Sequence, residues 1–158
     1  MHIRNASPAD LEAIITLNAS VQQKHAEALP DIFKAPTKSQ QAKDAFRTFL
    51  ADSTTLMLLA EEVQPVGYLW AQFQNRPEGW ARLGQRLLYI QHMAIAPQFR
   101  RKGVGGLLLA KAVDAARQEG IKRVELDVWS FNSEAKRFYA KHGFEVFNER
   151  MAFKTDVA

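Results

Sequence analysis

Residues 99–106 read Phe-Arg-Arg-Lys-Gly-Val-Gly-Gly, which sets three cations and three glycines into eight positions. They follow the apolar, strand-like run RLLYIQHMAIA at 86–96, which Pro97 stops. Where a strand hands over to a helix, successive bare backbone N–H groups form a nest for an anion, and the helix macrodipole adds attraction. Arg100, Arg101 and Lys102 stand at the mouth of that nest and can neutralise a diphosphate or a ribose phosphate. One glycine here would only let helix and sheet approach closely. Three glycines with three cations in one turn point to a phosphate-bearing ligand.

Two common phosphate cradles are excluded. A P-loop needs Gly-Lys-Ser/Thr, and no Lys-Ser or Lys-Thr follows these glycines. A Rossmann fingerprint needs a third glycine, but position 108 is Leu, and that motif opens a chain's first βα unit. Gly103, Val104, Gly105 and Gly106 therefore read as a helix N-terminal nest.

A second group lies in FNSEAKRFYAKHGF, residues 131–144. Asn132 and Tyr139 are seven apart, so at roughly 100° per residue they fall on nearly one helix face. Ala135 between them leaves room for a ligand, while Phe138 points elsewhere, into a core.

These groups need elements to hold them. The 158 residues suit one domain, 1–158, and 47% hydrophobic with 24% charged is the make-up of a globular protein with a core of its own. There is no cysteine, which removes disulfides, thiolate nucleophiles and Cys-ligated metals together. The four histidines lie far apart, and no metal is expected. The N-terminus lacks the apolar region of a secretory signal, and no apolar run approaches the roughly 18 residues of a membrane span. The chain reads as cytoplasmic, with no membrane partner. Net charge +4 and a pI near 9.5 favour anionic ligands. The cations cluster at one turn without interleaved aromatics or a helix-turn-helix pattern, so nucleic acid is not the expected partner.

The pattern runs β at 2–6, a helix begun by Ser7-Pro8, a connector at 27–37, and a helix from Ser39 to Ala51. Strands at 54–62 and 66–74 make a hairpin, a loop follows at 75–84, and 86–96 is the next strand. A helix from Gly103 to Glu119 stops at Gly120, a strand alternates over 122–129, and a capped helix precedes one or two closing strands at 144–155. Helices interspersed among strands imply an α/β sheet covered on both faces. The strand–helix–strand over 86–129 should pair its strands in parallel.

The 99–106 stretch resembles motif A of the GNAT N-acetyltransferase superfamily, Arg/Gln-x-x-Gly-x-Gly/Ala after the fourth strand, with Arg100, Gly103 and Gly105 in its defined places. FNSEAKRFYAKHGF resembles the same family's motif B: Asn, a helix carrying Phe-Tyr, then Gly-Phe. The resemblance covers 86–146 closely and the element order of the whole chain loosely. It implies a three-layer α-β-α fold with a mixed six- or seven-stranded sheet whose fourth and fifth strands splay apart. It also implies acetyl-CoA as donor and a primary amine, on a small molecule or a peptide, as acceptor. The pantetheine arm would bond to the fourth-strand backbone around Met93, Ala94 and Ile95, the pyrophosphate would sit on the amides of 101–106, and Asn132 would join the cofactor site. Backbone N–H groups of the splayed strand could hold the oxyanion. Tyr139 matches the tyrosine that protonates the leaving thiolate.

Family members often carry Glu or His on the acceptor-facing side of the fourth strand. Simple alternation puts Tyr89, Gln91 and Met93 on that face, and Ile90, His92 and Ala94 on the other. Tyr89 and Gln91 can hold a water but are poor bases near neutral pH. His92 has the right range and faces away, unless a β-bulge rotates it. A water-relayed proton is the expectation, with His92 second. Acceptor choice should rest on 24–37 and 75–84, where Glu27, Asp31 and Glu78 could draw a cationic amine, and Trp70, Phe73, Trp80 and Trp129 could line a pocket. The alternative is a non-catalytic acyl-CoA-binding protein of the same fold. The closing strands could pair across a homodimer.

Overall fold

The computed structural model describes residues 1–37 and 39–155. The chain divides into two compact units, Met1–Asp127 and Val128–Ala158. In the first, five strands form one sheet in the order β1 (His2–Asn5), β2 (Thr55–Glu61), β3 (Pro65–Arg76), β4 (Gln85–Ile95), β5 (Val124–Leu126). Every neighbouring pair is antiparallel except β4 and β5, which run parallel. Parallel neighbours need a crossover, and α3 (Val104–Gln118) supplies it.

Helix α1 (Leu11–Ala28) follows a Ser7–Asp10 turn in which the Asp10 carboxylate accepts from the Ser7 amide at 2.7 Å and its hydroxyl at 3.0 Å. Arg4 reaches the same carboxylate through two nitrogens at 2.8 Å and holds it well below the usual carboxylate range. Apolar spacing along α1 then faces Ile14 and Leu17 onto Met57, Leu59, Tyr68 and Ala94 of the sheet. Helix α2 (Gln40–Ala51), capped by Ser39, adds Phe46, Phe49 and Leu50 at the border of that core. Helix α3 packs on β2, β3 and β4. Its first residue, Val104, lies so near β3 that a Cβ on Gly67 would meet Ile95 Cδ1 at 2.7 Å and Val104 Cγ1 at 3.5 Å. Tyr68 and Gly67 point to opposite sides of β3, so α1 and α3 cover opposite faces. The sheet layer with helices on both sides is the α/β arrangement that the sequence implies.

Two expectations change. Helix α1 runs through Ala28, past the expected start of the connector, since Glu27 and Ala28 are good helix formers. The sheet has five strands, not six or seven, and no strand is assigned among the described residues of 144–155. Alternation shows that a segment can be a strand, but a ladder also needs a partner, and the described part of the second unit holds only α4 (Ser133–Lys141).

Candidate active site

Strand β4 carries the centre of the site. Its pairing with β5 stops after Leu88–Val124, Tyr89–Glu125 and Ile90–Leu126, although β4 itself continues to Ile95. The ladder ends there because β5 itself ends at Leu126, and among the described residues the β4 edge from Gln91 to Ile95 pairs with no strand on that side. On the other side, β4 stays paired with β3 throughout, with one irregularity: Trp70 faces His92, while the next residue, Ala71, faces Ile90. Gln91 is the extra residue of a β-bulge, sitting just past the last pair of β4 with β5.

The bulge rearranges the faces of the strand. Registered partners across antiparallel strands share a face, so Tyr89 (opposite Gln72) and His92 (opposite Trp70) point the same way. Met93, opposite Leu69, points the other way. Simple alternation had grouped Met93 with Tyr89 and turned His92 away. Gln91 turns its amide to Gln72 Oε1 at 3.1 Å, on the Tyr89 side.

His92 is held by a buried chain. The Asn18 amide of α1 donates to the Tyr68 hydroxyl at 2.9 Å, and that hydroxyl lies 2.7 Å from His92 Nδ1. Tyr68 is fully buried, so with Asn18 donating to it, the hydroxyl gives its own hydrogen to Nδ1. The neutral imidazole then carries its hydrogen on Nε2. Burial pushes its pKa down to about 4, with the positive field of His25 adding to the shift. His92 is thus built as a hydrogen-bond donor rather than a proton acceptor at neutral pH.

At the opposite end of the face the Tyr89 hydroxyl donates to Asp127 Oδ2. Burial, and then this bond to a carboxylate, push the phenol well above its ordinary pKa, so it stays protonated. Glu125, two residues before Asp127 and buried, is neutralised by Arg76 at 2.9 Å and Arg123 at 2.5 Å. Sequence reading passed over Asp127. The signal was present: Glu125 lies opposite Tyr89 in parallel register, and Asp127 is the next residue of the same alternation, just past the end of β5.

The basic turn is assembled as a cradle. Arg101 (φ 59°) and Gly103 (φ 85°) both adopt left-handed backbone around Lys102, and Gly103 is the N-cap of α3. The first i→i−4 bond of the helix runs from the Leu107 amide to the Gly103 carbonyl at 3.1 Å, so the amides of Val104, Gly105 and Gly106 precede it. Arg101 and Lys102 are exposed there, with the Lys102 ammonium 5.3 Å from the Phe99 ring centre. Arg100 is used differently. Its Nε donates to the Ile95 carbonyl at 3.1 Å, Nη2 reaches Ser20 Oγ at 3.4 Å, and its amide bonds to the Pro97 carbonyl at 3.3 Å. That guanidinium ties the end of β4 to α1.

In the second unit Asn132 is the N-cap of α4, its side chain accepting from the Ala135 amide at 3.1 Å, and so it precedes the helix rather than lying on its face. Tyr139 packs edge-on to Phe138 and Phe144, and burial pushes its phenol up to about 12. Of the expected acceptor-pocket aromatics, Trp70 stacks on Phe49 at 4.1 Å and Trp80 is solvent-exposed. A cavity of about 360 Å³ opens instead between α1, residues 34–37 and Ala42 of α2, with Asn18, Gln22, Lys34 and Thr37 as its polar lining. No group of three or more His, Asp or Glu side chains suited to a metal occurs among the described residues. No helix among them is long and apolar enough to cross a membrane.

The family model for the Acetyltransferase (GNAT) family matches residues 19–144, from within α1 through the turn to the end of α4. The chain belongs to the GNAT family. An uncharacterised N-acetyltransferase of Bacillus subtilis (strain 168), YhfO, is 27% identical over 146 residues, covering 92% of this chain and 90% of the relative. A mutant of the BH1408 protein from Bacillus halodurans superposes with a TM-score of 0.92 over 98% of this chain and 99% of that one, at 23% identity. The aminoglycoside N-acetyltransferase AAC(6')-Iy, solved in complex with CoA, gives 0.73 over 98% of each chain at 14% identity. At these identities the structural likeness shows the fold. The GNAT family and the N-acetyltransferase relatives place the chain in the acyltransferase class.

Proposed function

We propose that this GNAT chain moves an acetyl group from acetyl-CoA to a primary amine by direct attack, through a tetrahedral intermediate, as a single catalytic domain in the cytoplasm. The observation that carries the reading is the continuous path from the open half of β4 to the cradle at the start of α3. Beyond Ile90 the β4 edge on the β5 side has no strand partner among the described residues, so backbone groups around Met93, Ala94 and Ile95 can take an extended amide arm. Pro97 then turns the chain, and the left-handed Arg101 and Gly103 aim amides at a diphosphate that Arg101 and Lys102 neutralise. In this reading Arg100 is a positioning residue, fixing the distance between the strand end and the cradle. The oxyanion is held by an N–H of the open strand. Tyr139 takes the place of the motif B tyrosine. With its phenol near pKa 12 it supports the leaving thiolate chiefly as a hydrogen-bond donor, because a free thiol sits lower, at about 8.5. A small-molecule amine, such as the aminoglycoside named for one structural neighbour, fits the acceptor class.

Calorimetric titration with acetyl-CoA tests this reading, using the wild type beside Gly105→Glu, which brings bulk and negative charge into the cradle. Binding by the wild type and none by the variant is expected. A wild type that does not bind acetyl-CoA sinks the proposal.

A second reading, a non-catalytic acyl-CoA binder, is favoured by one observation: His92, the best base by residue type, has its Nδ1 occupied and its pKa near 4. Thiol release on adding amines separates the two, because a binder releases no coenzyme A.

A further inference from the structure

We propose that Asp127 is the proton acceptor for the incoming amine, and that Tyr89 is the residue that positions its carboxylate. The inference rests on the acetyl-transfer reading above and supplies the base which that reading lacks.

Four polar side chains gather where the β4–β5 ladder ends: Tyr89 and His92 on one face of β4, Glu125 opposite Tyr89 on β5, and Asp127, bonded to the Tyr89 hydroxyl just past β5. Three are already committed. The phenol of Tyr89 is protonated and donates to Asp127. His92 receives the Tyr68 hydrogen on Nδ1. Glu125 is buried between two guanidinium groups, Arg76 on Oε2 and Arg123 on Oε1, so both of its oxygens are occupied. Asp127 remains. It is exposed, it is the first residue past the β5 ladder, and among the described residues no Lys or Arg pairs with it. Tyr89 occupies Oδ2, which leaves Oδ1 to meet an ammonium group or a water beside it.

The placement follows from the end of the ladder and from the bulge. The β4–β5 ladder ends at Ile90–Leu126, so Asp127 is the first residue beyond it, and the bulge at Gln91 brings Tyr89 and His92 onto one face of β4. The Tyr89–Asp127 pair sits at the root of the open strand segment, on the face where His92 can donate through Nε2.

The step balances as follows. The acceptor arrives as an ammonium ion and gives one N–H proton to the Asp127 carboxylate. The freed lone pair forms the N–C bond to the thioester carbonyl, and the tetrahedral adduct collapses with the C–S electron pair leaving on sulfur. The second N–H proton goes to that thiolate, the amide nitrogen keeps one hydrogen, and Asp127 returns its proton to solvent.

The test compares two nucleophiles in one thiol-release assay with acetyl-CoA: ethylamine, an ammonium ion at pH 7, and hydroxylamine, already neutral there. If Asp127 accepts the proton, Asp127→Asn lowers the ethylamine rate about 100-fold or more, in the range of a lost general base, and the hydroxylamine rate less than about tenfold. Tyr89→Phe keeps the carboxylate and loses its hydrogen-bond donor, so it should cost roughly fivefold with ethylamine and little with hydroxylamine. Calorimetry of acetyl-CoA binding and a thermal melt accompany each variant, so that a folding or cofactor defect is seen directly. Equal losses on both nucleophiles, or no loss on either, overturn the proposal while acetyl-CoA binding leaves the parent reading standing. A wild type that binds acetyl-CoA but acetylates neither nucleophile also overturns it. A wild type that does not bind acetyl-CoA fails the parent reading first, and this one with it.

Discussion

The turn from Arg101 to Gly106 and the sheet face bearing Tyr89, His92 and Asp127 are the two regions of the first unit that the proposed chemistry uses, and they are made from different materials. The turn works through its main chain: two left-handed residues and a helix start present amides, and the side chains add only charge. The face works through side chains whose direction depends on one inserted residue in β4. A main-chain device is written in the sequence directly, because left-handed backbone and close approach call for glycine. A side-chain device is written only through register, and a single bulge changes which residues it contains.

The sharpest way to break the comparison is to delete Gln91. The pairs Trp70–His92 and Ala71–Ile90 would then become consecutive, the ladder with β3 would run without a break, and β4 would lose the local bend and twist that a bulge imposes. The fold should survive, since no buried side chain is removed. Coenzyme A release should fall by about 10³-fold, the size of losing one oxyanion donor, because the backbone from His92 to Ile95 is re-aimed relative to Tyr89. Circular dichroism and the thiol assay together check this. A deletion variant with full turnover would mean that the bulge has no part in the site.

Less drastic is the response of the face to acid. His92 has a folded-state pKa near 4, below the unfolded value of about 6.5, so between these values the unfolded chain binds more protons. Its contribution is therefore present above pH 6.5 and is lost as pH falls toward 4, by roughly 3 kcal/mol in all. Urea midpoints at pH 7 and pH 4.5 should show the fall, and His92→Gln should flatten it. A wild-type midpoint that stays level across that window would mean that the imidazole is not held in the buried Asn18–Tyr68 chain.

What could be read from the sequence divides along the same line. Arg100 to Gly106, the strand that precedes them, the crossover helix and the capped α4 all follow from residue type and spacing. The bulge does not, because nothing in YIQHMA distinguishes Gln91 from its neighbours; it arises from pairing with a β3 that is also committed to β2. Asp127 was missed for the same reason, since its importance lies in where β5 stops. Charge and its place in the motif assign Arg100 to the phosphate, while its guanidinium also bonds to the Ile95 carbonyl and to Ser20, 80 residues away in the chain, which spacing alone does not show. The one or two closing strands expected at 144–155 are not assigned among the described residues, because a strand also needs a partner to form a ladder.

The smallest effect expected concerns the cations of the turn. If the main chain does most of the binding there, Arg101→Gln with Lys102→Gln should weaken acetyl-CoA binding only modestly. Both side chains are exposed, and exposed charges at contact distance contribute about 1 kcal/mol or less each. A loss of about tenfold at low salt, shrinking toward none as the Debye length falls to about 3 Å at 1 M, is the expected pattern in a calorimetric salt series. Gly105→Glu should abolish binding at every salt concentration, because it damages the cradle itself. Should the double Gln variant fail as completely as the glycine variant, the turn would be a side-chain site after all. The contrast between its main-chain cradle and the side-chain face of β4 would then disappear.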